Sequence, residues 1–356
     1  MERYTVKTRL LAVDSQQPQP AAIEQAADVI RNGGLVAFPT ETVYGLGANA
    51  LDAAAIDRIF NAKQRPYHDP IIAHITTAHD LPRLAKDIPD AAYKLAQMFW
   101  AGPLTMVLTR ADHVPAVLSA QMPTVAVRMP SHPVARALIK AAGTPIAAPS
   151  ANTFTRPSST QAEHVQEDLS GHVDLILDGG ETHIGIESTV IDMTQDVPVV
   201  LRPGGVLLKD LRRVIPEVKM VTRFNEMDKE TPSPSPGIML KHYSPRADVM
   251  LFDGERSAVL NKMRDTAQQI IAENKRVGIL TTAEEGTFFT ETGARIISLG
   301  SRDDLEQIAH VLFGAMRALD KQKCDKIMVR AYSKQGIGEA IWDRLLRAAE
   351  GEVIEV

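Results

Sequence analysis

The sequence has one cysteine, few aromatic side chains, no basic excess and no long apolar run. A lone Cys324 excludes an intrachain disulfide and a cysteine-built zinc finger, and it suits a reducing compartment. The formal net charge of −5 argues against a protein that coats nucleic acid, because wholesale phosphate binding needs a basic surface. No apolar stretch approaches the roughly 20 residues of a spanning helix, and the first residues lack the apolar core of a secretion signal. The expected location is the cytoplasm.

Familiar catalytic signatures are also missing. The chain contains no G-x-x-x-x-G-K-[ST] phosphate loop, no G-x-S-x-G nucleophile turn and no H-E-x-x-H zinc motif. The first strand–helix turn of the C-terminal part lacks the G-x-G-x-x-G dinucleotide fingerprint. Common hydrolase and NTPase classes are therefore disfavoured. No residue is assigned as a catalytic acid, base or nucleophile.

Length and patterning predict the domain organisation. The 356 residues exceed a comfortable single core, so two domains are expected. Apolar strand-like stretches alternate with amphipathic helices throughout, which is typical of α/β proteins. We predict a mixed-sheet α/β domain over 1–216, a proline-rich linker over 217–246 and a small Rossmann-like parallel-sheet domain over 247–356. The linker contains T-P-S-P-S-P-G, which disfavours both helix and sheet.

Hydroxyl-bearing and basic residues recur where predicted strands begin or end. The segments are P-T-E-T-V-Y-G-L-G from Pro39, K-Q-R-P from Lys63, T-V-A-V-R-M-P from Thr124, A-P-S-A-N from Ala148, E-S-T-V-I-D from Glu187 and L-R-P-G from Leu201. Each segment alone has a structural interpretation as a turn or a solvated charge. In open α/β sheets, however, ligands bind beyond strand ends. Cations and neutral donors with few acids or bases suit the stabilisation of phosphate charge.

This ordered set of motifs resembles the threonylcarbamoyl-AMP synthases of the YrdC-like superfamily, in their two-domain form. The resemblance covers nearly the whole chain, including S-P-G-x-x-x-x-H-Y-S-P at 235–245 and G-I-G-E-A near Gly336. It implies that L-threonine, bicarbonate and ATP give threonylcarbamoyl-AMP and pyrophosphate, for the threonylcarbamoyladenosine modification of tRNA. Mg²⁺ is the implied metal, with its ligands unknown. The implied partners are the downstream tRNA-transfer machinery and, weakly, RNA itself, with no membrane.

The resemblance also implies which residues meet each substrate. The L-threonine set comprises Thr40, His74, Arg128, Ala148 and Ser188. The ATP set comprises Lys63, Arg65, Thr124, Ser150, Asn152, Ser158, Arg202 and Tyr243. Lys63 and Arg65 would act through positioning and charge stabilisation. Asp69 stands where the family more usually has asparagine, which leaves its role open.

The linker carries a separate hypothesis. Lys241, His242 and Tyr243 supply polar and aromatic groups that a mere spacer does not require. We predict that 235–245 is a lid over the nucleotide, mobile when the site is empty and ordered when it is filled. An inert spacer is the alternative.

Two other functions remain open at this level. A non-catalytic RNA-binding maturation factor is disfavoured by the net charge and by the lack of aromatics interleaved with Lys63 and Arg65. Carbamoyl transfer from carbamoyl phosphate, as in related maturation proteins, comes with a zinc finger that the single cysteine excludes. Pyrophosphate release with threonine as the amino acid separates all three.

Overall fold

The computed structural model describes residues 6–221 and 242–356, and these fall into two compact units. The first unit contains 6–154 and 158–221. The second contains 242–356 together with the short segment 155–157. The linker motif T-P-S-P-S-P-G and most of the predicted lid lie outside the described residues. The domain boundaries given above stay a prediction.

The first unit is built on an 11-stranded mixed sheet in the order β1-β8-β2-β3-β7-β4-β6-β5-β9-β10-β11. The strands are β1 (Arg9–Ala12), β2 (Val36–Phe38), β3 (Gly45–Asn49), β4 (Ile72–His74), β5 (Leu104–Thr109), β6 (Thr124–Arg128), β7 (Ile146–Ala147), β8 (Leu175–Asp178), β9 (Thr189–Asp192), β10 (Val199–Arg202) and β11 (Lys219–Met220). The helices are α1 (Pro20–Arg31), α2 (Ala53–Lys63), α3 (Asp90–Phe99), α4 (Pro133–Ala142), α5 (Ala162–Leu169) and α6 (Leu208–Val214). Short 3-10 turns occupy Ala78–Arg83 and Ala116–Ser119.

Helix α2 shows how local sequence places a functional side chain. The Asp52 carboxylate caps its first turn by accepting hydrogen bonds from the N–H groups of Ala54 and Ala55. Gln64 then adopts a left-handed backbone with φ 55°, which ends the helix. Lys63 is therefore the last helical residue, and it lies at the start of the K-Q-R-P turn.

Alternation along β6 separates two faces of the sheet. Val125 and Val127 join the large apolar core on one face. Ala126 points the other way, into a small cluster with Ile72, Val107 and Val190 that is distinct from the large cores. The polar residues at both ends of β6 share the face of Ala126. This face is where the predicted site residues gather.

The second unit has a five-stranded sheet in the order β14-β13-β15-β12-β16, and every recorded pairing in it is parallel. Its strands are β12 (Asp248–Asp253), β13 (Val277–Thr281), β14 (Arg295–Ser298), β15 (Lys326–Arg330) and β16 (Val353–Glu355). Its helices are α7 (Arg256–Ala272), α8 (Leu305–Lys321) and α9 (Gly338–Ala348), with a 3-10 turn at Gly286–Thr292. Parallel strands joined by helices give the Rossmann-like arrangement expected from the sequence.

The predicted fold class is confirmed in both units, whereas some elements differ from expectation. Pro89 is the residue before α3 and has the extended backbone typical of a helix cap. The P-T-E-T-V-Y-G-L-G segment has an interpretation as a turn, but from Gly45 onwards it forms β3, which is paired antiparallel with β2. Gly47 permits this pairing, because a Cβ there would lie 2.7 Å from the Phe38 ring.

Candidate active site

The loop between β2 and β3 brings several motifs of the first unit together. Tyr44 accepts a hydrogen bond from the N–H of Ala151 at 2.7 Å, and Leu46 donates to the carbonyl of Pro149 at 2.8 Å. The carbonyl of Glu41 accepts from Ile184 N–H at 2.8 Å. The P-T-E-T loop is thus tied by its backbone to both A-P-S-A-N and the segment before E-S-T-V-I-D. Segments that are far apart in the chain are therefore neighbours at this loop.

Four polar side chains stand in a row across neighbouring strands of the same sheet. His74 on β4 is paired in register with Arg128 on β6, and Arg128 is paired with Thr105 on β5. The hydroxyls of Thr105 and Ser188 are 2.8 Å apart. Since in-register neighbours project to the same face, the row crosses the sheet without interruption. It contains three of the five residues of the predicted threonine set.

His74 is a neutral imidazole in this row. Burial, reinforced by the positive charge of Arg128, lowers its pKa from 6.5 to about 3. Its Nδ1 is buried and has no hydrogen-bond partner within the described ranges. A buried ring nitrogen without a partner is costly unless a ligand supplies one. The ring can therefore offer a neutral hydrogen bond but no charge.

The other two members of the threonine set are placed differently. The Thr40 hydroxyl is used within its own turn, where it donates to the carbonyl of Val43 at 2.6 Å and lies 2.9 Å from the hydroxyl of Thr42. Ala148 follows β7, which pairs with β4, and its N–H donates to the carbonyl of Ile72 at 2.9 Å. Both lie on segments that border the row. Their contacts with threonine stay a prediction.

Lys63 holds the A-P-S-A-N turn. Its ammonium donates to the carbonyls of Ser150 and Asn152, each at 2.5 Å, and its side chain is buried. These carbonyls belong to two other residues of the predicted ATP set. Three members of that set are therefore in direct contact, and the ammonium fixes the backbone of the other two.

Arg65 and Asp69 form a closed turn immediately after α2. The Arg65 guanidinium donates through Nε to the carbonyl of Asp69 at 3.0 Å and through Nη2 to that of Pro70 at 2.7 Å. The Asp69 carboxylate lies 2.9 Å from Nη2 and is fully buried. Burial raises its pKa, and the Arg65 charge opposes that rise. Asp69, whose role was open, thus pairs with Arg65 and holds its guanidinium in place.

Two further members of the ATP set contact the segment before β9. The Ser158 hydroxyl donates to the Glu187 carboxylate. The Arg202 guanidinium donates to the carbonyl of Ser188 at 3.0 Å. Glycine at 204 permits this packing, because a Cβ there would lie 2.4 Å from the backbone of Ser188. Arg202 therefore joins the threonine row to the ATP set.

Thr124 marks the far end of the face. It begins β6, whereas Arg128 ends it, so the two Cα atoms are about 13 Å apart at about 3.3 Å per residue. Thr124 also precedes Ala126, the register partner of Ile72, by two residues, which places it level with Pro70 and the Arg65 turn. Thr124 and the Arg65 turn thus lie at one end of β6 and the row lies at the other, with Ala126 and Ile72 between them, whereas Arg202 contacts the row itself.

Comparison with known proteins identifies the family. A family profile described as "Telomere recombination" matches residues 28–204, and one described as "Threonylcarbamoyl-AMP synthase, C-terminal domain" matches residues 206–350. A threonylcarbamoyl-AMP synthase from Pyrococcus abyssi is 44% identical over 94% of this chain and 96% of its own length. The chain belongs to the threonylcarbamoyl-AMP synthase family.

Two more relatives support the assignment to the threonylcarbamoyl-AMP synthase family. A threonylcarbamoyl-AMP synthase from Bacillus subtilis is 40% identical over 93% of this chain and 94% of its own length. The crystal structure of P. abyssi Sua5 complexed with L-threonine matches with a TM-score of 0.91 and 43% identity, over 98% of this chain and 99% of that one. The family resemblance drawn from the motifs is confirmed.

Tyr243 belongs to the second unit, unlike the rest of the predicted ATP set of this synthase-family chain. Its buried ring stacks on Phe313 with centroids 5.3 Å apart, and the Arg344 guanidinium lies 5.2 Å from its centroid. His242 packs edge-on against it at 4.1 Å. The contact of Tyr243 with ATP stays a prediction.

Three residues of the site were not singled out from the sequence. Glu41 pairs with Arg128, Thr105 with Ser188, and Glu187 with Ser158. Glu41 and Glu187 stand inside quoted motifs of the synthase family, so position in a motif was a usable signal. Thr105 lies in an ordinary apolar strand, L-T-M-V-L-T, and only register brings it to the row.

No group of three or more histidine, cysteine, aspartate or glutamate side chains within 6–221 and 242–356 is placed to hold a metal ion. In the same ranges, no helix is long and apolar enough to cross a membrane.

Proposed function

We propose that the chain is an L-threonylcarbamoyladenylate synthase. It converts L-threonine, bicarbonate and ATP to threonylcarbamoyl-AMP and pyrophosphate, and the product serves the threonylcarbamoyladenosine modification of tRNA. The observation that carries the proposal is the row of His74, Arg128 and Ser188 at one end of a sheet face whose other end carries the Arg65 turn. A relative of 43% identity with the same fold has been crystallised with L-threonine.

In this proposal the row takes threonine. Arg128 pairs with the substrate carboxylate, and neutral His74 and Ser188 supply hydrogen bonds to its polar groups. Because the pKa of His74 is about 3, the ring adds no second positive charge that would repel the amine. Thr40 and the main chain of Ala148 complete the threonine contacts.

At the other end, the ATP set holds the triphosphate. Lys63, Arg65 and Arg202 supply positive charge, while Thr124, Ser150, Asn152 and Ser158 supply neutral hydrogen bonds. ATP enters with Mg²⁺, which typically keeps waters and phosphate oxygens among its ligands. Tyr243, on the second unit, is proposed to cover the nucleotide.

The chemistry needs little from acid or base side chains. Threonine and bicarbonate give a carbamate with loss of water, and a carbamate oxygen attacks the α-phosphorus while pyrophosphate leaves. That oxygen is already anionic, so the site must align two anions, offset their repulsion and exclude water. Buried cations and hydroxyls suit this task. A reducing, cytoplasmic setting, as the single cysteine suggests, belongs to the same proposal.

The test is a pyrophosphate-release assay on the purified full chain with ATP, Mg²⁺, bicarbonate and L-threonine. Release should require all four, and mass spectrometry should detect threonylcarbamoyl-AMP. L-Serine in place of threonine is the matched substrate control and should give slower release. Turnover with carbamoyl phosphate instead of bicarbonate, or RNA binding without any adenylate formation, would overturn the proposal.

A further inference from the structure

Glu41 is a buried carboxylate at the threonine end of the face, and no role has been assigned to it above. It lies in the loop between β2 and β3, where its backbone carbonyl is fixed by the Ile184 N–H at 2.8 Å. Its side chain is 8% exposed. A carboxylate is rarely buried without a charge partner, so its surroundings indicate what it does.

The two carboxylate oxygens of Glu41 are used separately. Oε1 accepts from Nη2 of Arg128 at 2.7 Å, and Oε2 accepts from the N–H of Ser131 at 3.1 Å. Glu41 therefore connects the end of β6 to the backbone three residues further on. This bridge fixes where the guanidinium can lie.

Arg128 has a second, weaker anchor and an unused edge. Its Nε lies 3.4 Å from the carbonyl of Gly102, at the limit of a hydrogen bond. Its Nη1 makes no recorded contact with the described residues. A guanidinium binds a carboxylate best through two parallel N–H donors, so its orientation decides whether that edge meets the substrate.

The pair also sets the charge of this end of the site. Arg128 and Glu41 are oppositely charged, and both side chains are buried. His74 adds no charge, and His132, whose charge interacts with that of Glu41, is kept neutral because burial lowers its pKa to about 4. A neutral pair attracts a lone carboxylate weakly but still complements a ligand that carries both charges.

We propose that Glu41 is a positioning and specificity residue. It aims Arg128 and balances its charge, so the site accepts a zwitterionic α-amino acid in preference to a carboxylate without an amine. This inference rests on the proposed function, because it concerns how threonine is recognised.

The test compares two ligands by calorimetry on the full chain. One is L-threonine, and the other is 2,3-dihydroxybutyrate, in which a hydroxyl replaces the amine. In Glu41→Gln the threonine Kd should rise at least about tenfold, as expected for the loss of a buried charge partner. The dihydroxybutyrate Kd should stay constant or fall, because the Arg128 charge is no longer balanced. Equal weakening for both ligands would show a merely structural role and overturn the proposal.

A second variant separates the effect of the Glu41 charge from the effect of its side-chain length. Glu41→Asp keeps the negative charge but is one methylene too short to bridge Arg128 and Ser131. Both ligands should bind more weakly while their affinity ratio is preserved. Unchanged affinities in Glu41→Asp would refute the positioning role, so this variant decides the matter if Glu41→Gln does not fold.

The matched control is Asp174→Asn in the same unit. Asp174 also bridges an arginine and a backbone N–H, at 2.9 Å from Arg58 and 2.7 Å from Leu35. It should lower stability without altering either affinity. Failure of the parent protein to bind threonine would instead count against the proposed function.

Discussion

Replacing Lys63 by methionine should both destabilise the first unit and impair ATP binding. Methionine keeps most of the buried stem and removes the ammonium that donates to the carbonyls of Ser150 and Asn152 at 2.5 Å. Each hydrogen bond from a charged donor contributes about 1.5–3 kcal/mol, and the variant loses two of them. Against this, the variant no longer has to bury a charge.

The balance of these terms is a loss of about 2–4 kcal/mol in the free energy of unfolding. That is below the roughly 5–15 kcal/mol stability of a typical domain, so the protein should remain folded at 25 °C. For a unit of this size, a loss of that amount lowers Tm by roughly 4–16 °C. Scanning calorimetry measures the shift. Titration with MgATP should show a loss of affinity of at least about tenfold, because the proposed function assigns this cation to ATP and the turn that it holds is loosened.

The control is Lys94→Met, on the exposed surface of α3. It removes the same charge without breaking a buried contact, and its Tm should stay within about 2 °C of the parent, as is usual for surface substitutions. If the Lys63→Met protein is as stable as Lys94→Met, the two hydrogen bonds from the Lys63 ammonium do not stabilise the fold, and the prediction is wrong. Unchanged ATP affinity together with lowered threonine affinity would show that Lys63 contributes to threonine binding and not to ATP binding.

Three further predictions follow from single contacts. Arg128→Ala should raise the threonine Kd at least about tenfold and leave the ATP Kd unchanged, since its guanidinium lies at the threonine end; equal effects in the two titrations would contradict this placement. The pKa of His74 is lowered to about 3, so its neutral form stabilises the fold above pH 6.5, and that contribution declines by about 1.4 kcal/mol per pH unit as pH falls towards 3. Urea unfolding at pH 7 and pH 5 should therefore show a smaller difference for His74→Gln than for the parent, and identical differences would be inconsistent with a buried neutral ring. Gly204→Ala should lower Tm and threonine affinity together, because its Cβ would lie 2.4 Å from the Ser188 backbone, whereas Gly286→Ala, with no atom within 4 Å, should change neither.

The lid hypothesis is checked by hydrogen exchange across 231–245 with and without ATP and threonine. We expect slower exchange when both substrates are bound, because an ordered lid protects its amides. Equal exchange with and without the substrates would contradict the lid hypothesis and support the inert spacer.

The sequence by itself determined the fold class and the family, and it named the candidate site residues. Periodicity is a local property, so the alternation of apolar strand-like stretches with amphipathic helices predicted an α/β protein without any tertiary information. Motifs in a fixed order, such as K-Q-R-P and A-P-S-A-N, likewise need no coordinates to indicate a family.

The tertiary structure alone decided which residues meet. The row of His74, Arg128 and Thr105 depends on strand register between β4, β6 and β5, and β4 and β6, which are neighbours in the sheet, are separated in the chain by β5. Thr105 therefore looked like an ordinary core residue. Lys63 looked like a phosphate ligand only, and the fold shows that it also holds the Ser150–Asn152 turn.

The ion pairs of the site were beyond the reach of sequence for the same reason. Glu41 and Arg128 are 87 residues apart, and only the packing of the β2–β3 loop beside the end of β6 makes them partners. Asp69 shows the contrasting case, because it lies four residues after Arg65 and the turn is local. Even there, the sequence could not show that the carboxylate is fully buried, since burial depends on what the rest of the chain places over it.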